Sequence, residues 1–178
     1  MKIIKDNNPI MRKKSVDVPL PLSPQDKKTL DEMSEYLRLS QDEEWAKRHH
    51  ARTGIGLAAI QIGLLKRMFV IYIPTEDGVI EYQLVNPRII ETSIKKAALE
   101  HGEGCLSVDK DHQGLVHRYY KIKIKAFNAL TGKEEIITES GFTAIAMQHE
   151  YDHLDGIFYY DRINPANPDT PLPNEEII

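Results

Sequence analysis

The five residues His149-Glu150-Tyr151-Asp152-His153 constrain this chain more than any other stretch. In a helix, side chains four apart stand one above the other on the same face, so both imidazoles can reach one cation. Glu150 is one position further round, off the ideal ligand direction but near enough to a bound water to act on it as a base. Ile145 continues the stripe one turn earlier, next to Met147 and with Leu154 beyond. That face is expected to be buried, and buried imidazoles need partners. A divalent metal is the simplest partner for the pair. The bland alternative is a helix that carries two incidental histidines.

A metal needs at least a third ligand. Cys105 is the only cysteine, so it forms no internal disulfide and points to a reducing compartment. It sits in Glu103-Gly104-Cys105-Leu106-Ser107. A thiolate suits a first-row divalent ion, although a free cysteine is more commonly a small core residue. His101 is a weaker rival. His49, His50, His112 and His117 stand in polar surroundings and are expected to be solvated. Hydrolysis through a tetrahedral intermediate also needs hydrogen-bond donors for an oxyanion. Gly54 to Gln61 offers glycine backbone, small residues and the Gln61 side chain. On its own it reads as a close-packed loop, because no strand precedes it and the third glycine of a dinucleotide-binding turn is missing.

The formal net charge of −4 gives no reason to expect a nucleic-acid site, and no window is apolar enough for a membrane span. Residues 1–15 are basic, but no apolar run follows, so the chain reads as cytoplasmic rather than exported. Residues 1–178 read as one domain, with an irregular arm over 1–20 and a tail rich in proline and acids over 164–178, lying along the surface or loose. Ser23-Pro24 opens a helix that buries Leu30, Met33 and Leu37. Ser40 to Glu43 reads as a capping box opening a second, polar helix through about His50. Strands are expected over 67–73, 79–85, 89–94 and 115–127. Asn86-Pro87 parts the second from the third, and Thr131-Gly132 turns the last into a hairpin through 138. A helix follows Gly141 and Gly156 stops it. Strands between an early and a late helix indicate an α+β fold, with antiparallel or mixed sheets packed around the central histidine-bearing helix and a helix near the N-terminus.

Taken together, three segments resemble the peptide deformylase family. G-x-G-x-A-A-x-Q appears as Gly54 to Gln61, E-G-C-L-S as Glu103 to Ser107, and Q-H-E-x-D-H as Gln148 to His153. The likeness extends over nearly the whole chain, to about Asp161. It implies a hydrolase that removes the formyl group from the formyl-methionine of new polypeptides and releases formate. It further implies Cys105, His149 and His153 as ligands of one divalent ion, Fe(II) by preference, with nickel, cobalt or zinc as substitutes. Glu150 becomes the general base, and Gln61 with the Leu106 backbone N–H the oxyanion donors. The substrate contacts it implies are Ile55, Gly56, Glu103, Gly104, Phe142, Ile145 and His149, with Ala146 beside them, and Arg118 is implied as the partner of Glu103. The partners are N-formyl-methionyl nascent peptides. A ribosome contact is at most transient, because the tail lacks the basic helix with which some members dock. Ile60 replaces a common proline, and the long stretch 38–52 matches the Gram-positive-type class.

Two rivals remain on the sequence alone. An H-E-x-x-H zinc peptidase usually takes its third ligand from Glu or His, not from a cysteine in a glycine-flanked loop. A purely structural zinc site is normally closed by four protein ligands, and only three are convincing here.

Overall fold

The computed structural model describes residues 1–178. Strand β2 (Met68–Thr75) explains the layering. Its residues alternate between two apolar clusters: Met68 and Val70 belong to one, and Phe69, Ile71 and Ile73 to the other. Successive side chains of a strand point to opposite faces, so an unbroken apolar run requires a sheet covered on both sides. Helix α1 (Pro24–Ser40) supplies the first cover with Leu30, Met33 and Leu37, all fully buried. Helix α3 (Gly141–His153) supplies the second with Ala144, Ala146 and Met147.

The sheet between them is antiparallel, in the order β1-β2-β3-β6-β7. Its other strands are β1 (Gly56–Ala58), β3 (Gly78–Thr92), β6 (Lys121–Asn128) and β7 (Lys133–Ser140). A second sheet places β4 (Lys96–Ala98) between antiparallel β5 (Arg118–Tyr119) and parallel β8 (Glu176–Ile177). The architecture is α+β, with antiparallel and mixed sheets around α3, as the pattern of elements predicts. The alternation Lys121 to Lys125 buries Ile122 and Ile124 and leaves the lysines outside or half-buried.

Several local expectations are corrected. The two strands expected on either side of Asn86-Pro87 are one strand, β3, whose register shifts between Val85 and Arg88. Asn86 takes a left-handed φ of 52° there and ties in the N-terminal arm, accepting from the Val18 N–H and donating to its carbonyl. A bulge absorbs the residue pair that breaks the pattern, so the strand continues. The expected strand over 115–127 is divided between β5 and β6, which lie in different sheets. The second helix, α2 (Glu43–His49), is capped by Asp42, which accepts from the Trp45 N–H at 2.8 Å. Ser40 ends α1 instead: its hydroxyl donates to the Leu37 carbonyl and accepts from the Gly54 N–H. Of the two alternatives left open for the tail, lying along the surface is the one seen: β8 pairs with β4 and the buried Glu175 carboxylate meets His117 Nδ1 at 2.8 Å. His117 is therefore half-buried and paired, not solvated.

Gly156 stops the last helix for two reasons. Its φ is +73°, and an added Cβ would stand 2.4 Å from the Arg12 carbonyl oxygen. Only glycine lets the N-terminal arm cross there.

Candidate active site

Three loci of the fold meet at one point. Helix α3 presents His149 and His153, the loop between β4 and β5 presents Cys105, and β1 leads into a short 3-10 turn carrying Gln61. The ligand-capable atoms of Cys105, His149 and His153 lie within 4.8 Å of one another, and all three residues are buried. Cys105 Sγ is 3.3 Å from His153 Nε2. His101, the weaker rival, has a side chain 93% exposed and takes no part. The segment read as a loop, Gly54 to Gln61, in fact contains the edge strand β1, which holds Gln61 against the cysteine loop.

Each group is aimed by a neighbour. Glu103 Oε2 lies 2.7 Å from His149 Nδ1, which leaves the other ring nitrogen to face Cys105. Arg118 holds the same carboxylate in a fork, at 2.8 Å on each oxygen, and donates at 2.6 Å to Asp152 Oδ2. Arg162 closes the network on Asp152 at 2.5 and 2.6 Å. Glu103, which borders the cavity, has both carboxylate oxygens engaged by Arg118 and His149, a brace that includes the pairing with Arg118 that the resemblance implies. Asp152 and Arg162 complete that brace; Asp152 is the D of the Q-H-E-x-D-H segment, whereas no sequence pattern marks out Arg162. Gln61 Oε1 accepts from the Ala58 N–H at 2.8 Å, which fixes the amide so that Nε2 faces Ser107 Oγ at 3.1 Å and Cys105 Sγ at 3.6 Å. The Leu106 N–H makes no hydrogen bond within the chain.

Charge is distributed unevenly over this buried cluster. Burial pushes the Glu103 carboxyl up, but Arg118 and then His149 outweigh it and hold its pKa at about 2. Burial, reinforced by the charge of Glu103 and opposed by His149 and Arg118, raises Glu150 to about 7. Burial also opposes charge on His149, yet its contacts with Cys105 and Glu103 outweigh this and raise it well above the ordinary value. For His153, burial and the nearby positive charges of His149 and Arg118 act together and hold it well below. Glu150 Oε2 and His153 Nδ1 are buried without a hydrogen-bond partner. A buried sulfur with two imidazoles beside an unpartnered carboxylate fits a first-row divalent ion.

Gly56 is required by this geometry. A Cβ at that position would stand 2.4 Å from Glu150 Oε1 and 2.8 Å from Cγ and Cδ. A cavity of about 280 Å³ opens onto the cluster. Of the residues expected at the site, Gln61, Ile55, Gly56, Glu103, Gly104, Cys105, Leu106, Phe142, Ile145, His149 and Glu150 line it, together with Ala146. His153 lies behind them, 1% exposed. Arg52, Thr53 and Leu99 also border the cavity and carry no sequence signal that sets them apart. Arg52 donates to the Val108 carbonyl at 2.6 Å and meets both oxygens of Asp111 at 3.0 Å, which ties the α2–β1 connection to the cysteine loop.

Comparison with known proteins agrees with this geometry. The family model for polypeptide deformylase matches residues 1–169. The peptide deformylase of Staphylococcus epidermidis is 47% identical over 179 residues, which covers 99% of this chain and 96% of the relative. That of Macrococcus caseolyticus is 45% identical over 168 residues, covering 93% and 91%. The crystal structure of a probable peptide deformylase from synechococcus phage S-SSM7 matches with a TM-score of 0.69 at 37% identity, over 91% of this chain and 99% of that one. The chain belongs to the polypeptide deformylase family, metal-dependent hydrolases that remove the N-formyl group from nascent peptides.

Proposed function

We propose that this chain carries out that hydrolysis with Cys105, His149 and His153 holding an Fe(II) ion and Glu150 acting as the base, in the cytoplasm where formylated chains emerge. The observation that carries the reading is the convergence of one sulfur and two imidazoles beside a buried, unpartnered carboxylate. When bound, the ion polarises the formyl carbonyl and makes water a stronger acid. Glu150, buried with Oε2 free of any hydrogen-bond partner, is placed to take a proton from water and pass it to the departing amine. Gln61 Nε2 and the Leu106 N–H are the donors for the oxyanion, and a lost donor of this kind costs about 3 kcal/mol. Ile55, Phe142, Ile145 and Ala146 supply an apolar slot suited to a methionine side chain, with Gly56 and Gly104 keeping its walls free of side chains. Phe142 is 39% exposed, at the rim of that slot.

The test is Glu150→Ala measured for formate release from formyl-Met-Ala-Ser and for bound metal. Release falling by about 10²- to 10⁴-fold, with metal content unchanged, is the expected result. Undiminished turnover would remove Glu150 as the base. The choice of Fe(II) is tested separately, since ferrous ion and thiolate both oxidise readily. An iron-loaded sample should lose activity in air faster than a nickel-loaded one; equal decay counts against iron.

A further inference from the structure

The Leu106 N–H, one of the two oxyanion donors, belongs to a tight turn whose four carbonyls are all held. Cys105 to Val108 is closed by the Val108 N–H, which donates to the Cys105 carbonyl at 3.1 Å. Arg52 Nη1 reaches the same carbonyl at 3.5 Å and donates to that of Val108 at 2.6 Å. The two carbonyls between them meet the N-terminal arm. Lys5 Nζ donates to the Leu106 carbonyl at 3.0 Å, and the Asp6 N–H to the Ser107 carbonyl at 2.9 Å. One residue before Lys5, the Ile4 N–H donates to the Gln61 carbonyl at 2.8 Å. Three successive residues of the arm therefore grip both segments that carry an oxyanion donor. Ile4 and Asp6 do so with backbone groups, and Lys5 with its side chain, across 101 residues of chain. Lys5 does not border the reacting cavity.

We propose that Lys5 is a positioning residue for the hydrolysis, which fixes the Leu106 carbonyl and so keeps the Leu106 N–H set as an oxyanion donor. The proposal rests on the deformylase reading above. A trans peptide is planar, with its N–H opposite its carbonyl. The Cys105 carbonyl is taken up by Val108 and Arg52, so the Leu106 N–H is left on the other side of that plane, without a partner in the chain. Lys5 ties the second plane that flanks Leu106, and with both planes held the residue turns about neither of its backbone bonds. A donor fixed in advance costs no reorganisation when charge develops on the substrate oxygen. The ion pair of Lys5 with Asp109, at 2.7 Å, is exposed and contributes little by itself. The arm thereby takes part in the chemistry from outside the cavity.

Three variants test this. Lys5→Met removes the donor and keeps most of the stem, Lys5→Arg supplies a donor again, and Asp109→Asn removes the ion pair while leaving Lys5 on the carbonyl. In the metal-loaded enzyme, Lys5→Met is expected to lower kcat on formyl-Met-Ala-Ser about tenfold with KM within about twofold, because an oxyanion donor acts on the transition state rather than on bound substrate. Lys5→Arg and Asp109→Asn are expected to stay within about threefold of wild type. A second readout is spectroscopic. Cys105 is the only cysteine, so protein made with carbonyl-¹³C cysteine and ¹⁵N leucine carries a bonded labelled pair at the Cys105–Leu106 peptide alone. In the zinc-loaded protein, which is diamagnetic, that amide is expected to give one sharp signal, kept in Lys5→Arg and Asp109→Asn and broadened or doubled in Lys5→Met. An unchanged kcat, a fall explained by KM or by lost metal, or a single sharp signal in Lys5→Met would overturn the positioning role. Wild-type enzyme that releases no formate would overturn the deformylase reading instead, a failure seen without any variant.

Discussion

The two long helices cover opposite faces of one sheet and are built on different principles. α1 is one-sided: Leu30, Met33 and Leu37 are fully buried, while Lys28, Glu32 and Glu35 face solvent. α3 is buried nearly all round, and Gln148, His149, Glu150, Asp152 and His153 are among its buried residues. An apolar stripe is stabilised by leaving water, whereas a buried polar residue must find a partner or remain strained. Substitutions in α1 should therefore change how much protein is folded, and those around α3 what the folded protein does.

The largest expected effect strikes the brace that lets α3 be polar. Arg118→Met leaves Glu103 and Asp152 buried without their shared cation, at a cost of about 3–5 kcal/mol. It also frees the His149 ring, so metal content should fall together with the urea midpoint. A variant as stable as wild type would show that the network contributes nothing to holding α3. On the other helix, Leu37→Ala should cost about 2–5 kcal/mol with kcat/KM of the folded fraction within about twofold of wild type. Activity falling well ahead of stability would break the contrast. Gly56→Ala is the reverse case. Its methyl group must displace Glu150, so turnover should drop by about 10²-fold with little change in melting temperature.

The smallest effect near neutrality is a pH dependence. Glu103 is held at about 2 in the folded chain against an ordinary 4.5, so the unfolded chain binds more protons between those values. The stability this pair contributes is complete above pH 4.5 and is lost as pH falls toward 2. Glu103→Gln should flatten that acid limb of the urea midpoint, and an unaltered slope would contradict the assigned shift.

The legible parts of the molecule share a physical character. The start of α1 at Ser23-Pro24 was readable because a capping hydroxyl and a proline act within three residues, and Ser23 Oγ does accept from the Asp26 N–H. The β6–β7 hairpin was readable from its alternation and its Thr131-Gly132 turn. The joined strand at Asn86 was not, because the bulge is stabilised by Val18, which lies 68 residues away. The tail was left open between lying along the surface and being loose for the same reason, since β8 and Glu175 gain their order from β4 and His117. Within the site the ligand types were legible and their supports only in part. Glu103 was paired with Arg118 by resemblance and Asp152 stood within a matched motif, but Arg162 and Arg52 became meaningful only once the chain had brought their partners near.

What the sequence determined alone is the chemistry on offer: two imidazoles one turn apart, a carboxylate between them, a single thiol and glycines where side chains must be absent. Those properties are local, fixed by helical spacing and by the functional groups themselves. The tertiary structure decided which of the donors meet, bringing Cys105 against His153 across 48 residues of chain. It also decided the charge of two similar carboxylates, lifting Glu150 to about 7 and holding Glu103 at about 2. Burial and the position of Arg118 set those values, and both depend on contacts between segments far apart in the chain.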